Sequence, residues 1–289
     1  MKNKMIWLIT VLLFTSCQGQ QNKNKLSGTE AVMQPGDREI VEQIVEMFPD
    51  VHKVPAGSLM VKVGTYFQGT PYVAHTLETE GSEKLVVNLR EMDCTTFVEN
   101  CLALTRTLKS KAPGFDRFCA ELQKIRYRDG RLNGYESRLH YFSDWIFNND
   151  QKKIVKDVSR EIAHTLMPNR VDFMSTHPES YLQLKDDTAM VRKIMQQEAE
   201  ISFRAAFYIP KNKLRGLEEL LRDGDIAGIT TNITGLDISH VGILVNKAGR
   251  IHLLHASSAL GKVVLSEETL EEYLMKSKSS TGIMVARPL

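Results

Sequence analysis

The chain has little of what would assign a chemistry by composition alone. Its 289 residues include 4 cysteines and 2 tryptophans, and aromatic residues make up 7%. So few cysteines exclude a disulfide-stapled scaffold, and no CxxC pair is present to suggest a zinc site. Net charge is equally scarce, with 37 basic against 35 acidic side chains, a balance of +2. That is not the electrostatic footprint of a nucleic-acid binder, and no polybasic run is present to hold a membrane surface. There is no internal repeat, and no HExxH, GxSxG, phosphate-binding or dinucleotide glycine motif. No metal and no cofactor is therefore expected. What remains is an ordinary globular composition, 42% hydrophobic and 25% charged, long enough to bury a sizeable core.

One apolar run stands out. Lys2 and Lys4 precede Met5 to Phe14, a stretch too short to cross a bilayer, which takes about 20 helical residues. It reads as the apolar region of an export signal. Thr15 and Ser16 lead into Cys17, an order that resembles a bacterial lipoprotein signal. Residues 1–16 are then the leader, and Cys17 carries the lipid. The plainer alternative is a secretory signal with an incidental cysteine. Residues 17–36 are polar and aperiodic, as a tether would be. The expected location is exported, anchored in a membrane through Cys17 and facing the periplasm of a Gram-negative bacterium. Export leaves Cys94, Cys101 and Cys119, an odd number in an oxidising compartment, so at least one is not paired within the chain. Cys94 and Cys101 on one helix lie about 10 Å apart, beyond disulfide reach. Cys101 with Cys119 stays open.

The remaining residues, 37–289, read as helices first and a sheet last, an α+β pattern. Apolar spacing predicts helices over 37–48, capped by Asp37, over 58–67 and over 93–109. Lys84 to Arg90 reads as a strand, and helical stretches are expected at 150–167, 186–200 and 266–276. From Ile226 the pattern alternates, through SHVGILV, RIHLLHAS and KVVLS, to a last strand at 282–287.

The chemistry concentrates in the third helix and the late sheet. Cys94 follows the expected N-cap Asp93, where free amides and the helix dipole favour a thiolate. It is otherwise a small apolar member of the helix stripe formed with Phe97, Val98, Cys101 and Leu102. A nucleophilic thiolate needs a base and a group to orient that base. If Asn246 to Gly249 form a four-residue turn, Val245 faces Arg250 and His240 falls directly opposite His255 on one face of a hairpin. His252 then points the other way.

Five short segments occur in order: Gly69-Thr70-Pro71-Tyr72, Asp93-Cys94-Thr95-Thr96-Phe97-Val98, Asp223-Gly224-Asp225, Ser239-His240-Val241-Gly242 and Leu254-His255-Ala256-Ser257. Together they resemble the NlpC-type cell-wall cysteine amidases and peptidases. EMDCTTFVEN and RYRDGRLNGYESRLHYFSDWI are similar to the N-acetylmuramoyl-L-alanine amidase-like branch. The resemblance implies a papain-like fold, with a nucleophile helix packed on an antiparallel sheet. It implies Cys94 as nucleophile, His240 as base, His255 as orienting member and Tyr72 near the oxyanion. It also implies peptidoglycan or muropeptides as substrate, cut between N-acetylmuramic acid and L-Ala. The alternatives are a cut within the stem peptide and a noncatalytic peptidoglycan-binding lipoprotein.

The chain departs from compact members in an insertion, mostly helical by its pattern, at about 110–215. Arg126, Arg128, Arg138, Tyr141 and Trp145 crowd there. Planar guanidinium groups suit stem carboxylates, and aromatic rings suit a sugar face, so these are candidate substrate contacts. The alternative is a solvated basic face with core aromatics.

Overall fold

A computed structural model describes residues 31–168 and 170–289; the leader 1–16, Cys17 and most of the tether lie outside the described residues. The last part of the expected tether is docked: β1 (Ala31–Val32) pairs in parallel with β2 (Leu85–Val86). The strand expected over 84–90 is thus two residues long. Beyond it the chain turns so that the Leu89 amide donates to the buried Asp37 carboxylate at 3.0 Å. Asp37 therefore tethers a loop from inside the first turn of α1 (Asp37–Met47). Gly36 stands at the cap position, with φ 95°.

α2 (Ala56–Tyr66) and α4 (Phe115–Arg126) flank α3 (Cys94–Leu108), which is buried almost all round. The expected stripe of Phe97, Val98, Cys101 and Leu102 faces the main core, which it shares with Val241, Ile243 and Leu254 of the sheet. A helix enclosed on every side also buries polar residues, here Glu99 and Asn100, which then require partners.

Residues 110–215 hold both helices and strands. α5 (Phe142–Gln151) leads into β3 (Val155–Asp157), α6 (Ser159–Ala163) and β4 (Thr165–Leu166). The helix expected over 150–167 is interrupted by Lys153 and His164, with φ 58° and 49°, left-handed conformations that a helix cannot contain. α7 (Phe173–Thr176), α8 (Thr188–Phe203) and β5 (Phe207–Pro210) complete the segment. Its strands join the main sheet, so the segment is part of the domain's framework.

The sheet is antiparallel, in the order β4, β5, β10 (Ser280–Pro288), β6 (Ile226–Thr231), β7 (Ile238–Lys247), β8 (Arg250–Ser257), β9 (Lys262–Thr269), with β3 also on β10. Strand alternation gives it two covered faces. Val241 and Ile243 meet α3, while Leu244 and Leu253 enter a second core beneath α9 (Leu270–Lys276). His240 and His255 share the α9 face. Among the described residues no helix is long and apolar enough to cross a membrane.

Candidate active site

Asp93 caps α3 as expected: its Oδ1 accepts from Thr96 N at 2.7 Å, and Thr96 Oγ1 accepts from Asp93 N at 2.9 Å. This reciprocal box fixes Cys94 as the first helical residue. Tyr72 is brought alongside by its own segment. Its amide donates to Gly261 O at 2.9 Å, and the residue bridges Met92, just before the cap. The tyrosine pKa is raised, by burial first and then by negative charge at Cys94 and Asp93.

The thiol does not behave as helix position alone predicts. Burial first, and the Asp93 carboxylate second, push its pKa up to about 11, while hydrogen bonds from Val241 and Thr95 pull it the other way. The capping carboxylate that starts the helix also repels a thiolate one residue later. The expected lowering is therefore corrected: Cys94 rests as a thiol and needs a base. Cys94, Cys101 and Cys119 are all free.

His240, the expected base, lines the same cavity as Cys94. His240 Nε2 lies 2.6 Å from His255 Nδ1, rings at 83°. The pairing arises by a different register from the one the sequence suggests. Lys247 pairs with Arg250 and Val245 with His252, around a two-residue turn of Ala248 and Gly249, both with positive φ. This is a shift of two, which preserves the faces, so His255 meets His240 diagonally across Gly242. A Cβ at Gly242 would stand 2.7 Å from Leu253 Cδ1 and 3.0 Å from His255 Cβ, so the close packing at this position requires glycine. β7 also carries one extra residue, Ser239, between the partners of Ile229 and Thr230, a bulge that locally re-aims the strand beside the site.

Burial lowers His240 to about 3, helped by charge repulsion from His255, and burial lowers His255 to about 4, opposed by the Glu268 carboxylate. Both rings are neutral at physiological pH. The sequence reading missed two residues here. Tyr273 of α9 lies against both rings, with centroids at 6.4 and 5.7 Å, and the Glu268 carboxylate at the end of β9 acts on His255 through its charge. Tyr273 had no sequence signal because α9 reaches the hairpin only through tertiary packing, and Glu268 was expected in a helix over 266–276 but lies at the end of β9 instead. Among the described residues no cluster of His, Cys, Asp and Glu is arranged to hold a metal ion.

Cys94 and His240 line one cavity of about 220 Å3, whose walls include Tyr141, Phe142, Trp145, Met174, Tyr181 and Leu236. Tyr141 and Trp145 therefore reach the site, although both are mostly buried and hydrogen-bonded, Tyr141 Oη to Glu198 at 2.7 Å and Trp145 Nε1 to Glu99 at 3.3 Å. The arginines do not reach it. Arg126 is 2% exposed and bound to Glu99 Oε2 at 2.6 Å and Val86 O at 2.7 Å. Arg138 is clamped by both oxygens of Glu83, at 2.9 and 2.7 Å. Arg128 pairs with Asp144 at 2.6 Å, which Arg204 also contacts. Expected as substrate contacts, Arg126, Arg128 and Arg138 instead hold the framework, because each faces a buried carboxylate that must be neutralised. The Asp225 turn is also structural: Asp225 is buried and accepts from Arg287 at 2.8 Å.

Residues 62–283 match the family model AmiA-like, described as N-acetylmuramoyl-L-alanine amidase-like. A crystal structure of an N-acetylmuramoyl-L-alanine amidase from Bacteroides uniformis is 41% identical, covering 81% of this chain and 99% of its own, with a TM-score of 0.78. A Bacteroides fragilis protein named as a candidate xylanase is 42% identical over 78% of this chain and 99% of its own, TM-score 0.75. A Legionella pneumophila protein, 22% identical, shares the fold with a TM-score of 0.64 over 87% of this chain and 95% of its own. No curated protein matches significantly. By the extent of the family match, the chain belongs to the AmiA-like, N-acetylmuramoyl-L-alanine amidase-like family.

Proposed function

We propose that this protein is a cysteine amidohydrolase of peptidoglycan or its fragments, of the NlpC-type papain-like kind, cutting the amide between the lactyl group of N-acetylmuramic acid and L-Ala. The observation that carries this reading is the 2.6 Å His240–His255 contact beside a thiol in the same cavity. His240 Nε2–H donates to His255 Nδ1, which leaves His240 Nδ1 as a proton acceptor. The Cys94 thiol passes its proton to Nδ1 as sulfur attacks the lactyl carbonyl. The Cys94 amide and the Tyr72 hydroxyl hold the oxyanion. His240 returns the proton to the leaving alanine nitrogen, the C–N bond breaks, and the muramoyl group stays on sulfur as a thioester. Water, deprotonated by the same ring, releases it. A neutral base suits a resting thiol: transfer is coupled to attack, and no charged pair is buried beforehand.

Two readings of other classes fit less well. Glycoside cleavage, as the Bacteroides fragilis neighbour's name would suggest, needs a pair of carboxyl groups about 5–9.5 Å apart across the sugar. The carboxylates lining this cavity are engaged, Glu99 by Arg126 and Trp145, and Asp237 by the amides of Ser143 and Ile238. A noncatalytic binding module has no need of a neutral, mutually oriented histidine pair. Export and lipidation at Cys17, with the protein facing the periplasm, belong to this proposal.

Mass spectrometry of N-acetylmuramoyl tripeptide incubated with the protein tests it. Free tripeptide plus intact sugar is expected. A shortened stem still on the sugar makes the protein an endopeptidase, and no product from either soluble fragments or intact sacculi makes it a binding module.

A further inference from the structure

The proposed reaction divides its substrate at the scissile amide. The acyl half becomes bonded to Cys94, and the amine half leaves with a proton from His240. Two cavities meet at His240 and Ser239. The first, of about 220 Å3, includes Cys94. The second, of about 270 Å3, excludes Cys94 and is bounded by Glu268, Tyr273, Lys276, Ser277 and Ser280 at the α9 edge. Building on the reading above, we infer that these cavities sort the substrate by half: the aromatic cavity takes the N-acetylmuramoyl group, and the α9 cavity takes the stem peptide.

Two observations converge on this polarity. The first is position. Of the two, only the aromatic cavity is lined by Cys94, which carries the acyl group, while His240, which must protonate the leaving nitrogen, lines both, so the α9 cavity is reached from the base and not from the thiol. The second is charge. No Lys or Arg lines the aromatic cavity, whose walls carry aromatic rings, Met174, the neutral His140 and the engaged carboxylates of Glu99 and Asp237. A stem peptide rich in carboxylates would be repelled there, while a neutral acetamido sugar has rings to pack on. The α9 cavity instead offers the ammonium of Lys276 and the hydroxyls of Ser277 and Ser280. Lys276 is paired with Glu268, but its side chain is 71% exposed. An exposed pair of this kind is weak, so the lysine can exchange Glu268 for a substrate carboxylate.

The test crosses two variants with three substrates, reading kcat/KM. Leu236→Trp fills the aromatic cavity from a half-buried wall position; Tyr181→Ala removes a wall and serves if the tryptophan disturbs folding. Lys276→Met removes the cation. The substrates are N-acetylmuramoyl tripeptide, D-lactoyl tripeptide without the sugar, and N-acetylmuramoyl tripeptide with its carboxylates amidated. Leu236→Trp is expected to lose about tenfold or more on both sugar-bearing substrates and little on the lactoyl peptide. Lys276→Met is expected to lose roughly three- to fivefold on substrates with free carboxylates and nothing on the amidated one. The reverse pattern, or equal losses on all three substrates, overturns the assignment. Wild-type cleavage within the stem would instead show, from the product masses, that the amidase reading itself fails.

Discussion

The histidine pair, with His255 buried and His240 half-buried, and the buried Arg126 and Arg138 are polar groups withdrawn from solvent, and they differ in what answers them. Arg126 and Arg138 each meet a carboxylate in close geometry, with further bonds to backbone carbonyls. Their charge is matched, and nothing is left over for a ligand. His240 and His255 meet only each other and the Tyr273 ring, with Glu268 nearby. They are held neutral by burial, and among the described residues no hydrogen bond engages His240 Nδ1. In this molecule a fully answered charge marks architecture, and a basic group kept neutral beside a thiol marks chemistry.

Substitutions can break or sharpen that contrast. Arg126→Met should cost the most in stability, about 3–5 kcal/mol, because it strands the Glu99 carboxylate in the core. Denaturant unfolding should show the loss, while turnover per folded molecule stays near wild type. A fall in turnover with stability intact would place Arg126 in the site and erase the distinction. His255→Ala should leave stability less affected but lower kcat by about a hundredfold, since His240 loses the acceptor that fixes its tautomer. His255→Asn, which can still accept that hydrogen bond, should recover part of the rate, and equal losses in both variants would argue against an orienting role.

The pH dependence of stability carries a smaller signal. The histidine pKa values fall from 6.5 to about 3 and about 4 on folding. Between these limits the unfolded chain binds more protons, so stability is full above about pH 6.5 and declines as pH drops through the window. At pH 5 each histidine should account for about 1–2 kcal/mol of the decline. Urea midpoints at pH 7.5 and pH 5 in wild type and in His240→Gln/His255→Gln measure it; the double variant should show a smaller difference, and an unchanged difference would mean these rings are not buried neutral. Tyr72→Phe should have the smallest effect, about tenfold in kcat with KM little changed, as one of two oxyanion donors is lost. A change confined to KM would make Tyr72 a binding group only.

The site was legible in the sequence where it depends on local or two-residue periodicities. The Asp93 cap and the α3 stripe follow from neighbours within one or two helical turns. The shared face of His240 and His255 follows from parity along the hairpin, which survived an incorrect register. The register itself was not legible, because Ala248 adopts a positive φ that its side chain does not announce. The thiol pKa was misjudged first because the helix N-terminus is buried by distant elements, and second because the cap that favours an anion is itself an anion. The arginines were misjudged because their partners are distant in sequence, 27 residues for Arg126 and Glu99 and 55 for Arg138 and Glu83. Tyr273 was invisible for the same reason, since α9 arrives at the histidines only once the sheet is assembled, and Glu268 because it lies at the end of β9 where the pattern suggested a helix.

The most direct test of the central claim follows free tripeptide released from N-acetylmuramoyl tripeptide by the wild-type protein and by Cys94→Ala side by side, with circular dichroism confirming that both are folded. Wild type should release tripeptide and leave the sugar intact, and Cys94→Ala should release none above background, a loss of about a thousandfold or more. Release by Cys94→Ala at a rate near wild type would contradict the account, because the bond would then be broken without the thiol.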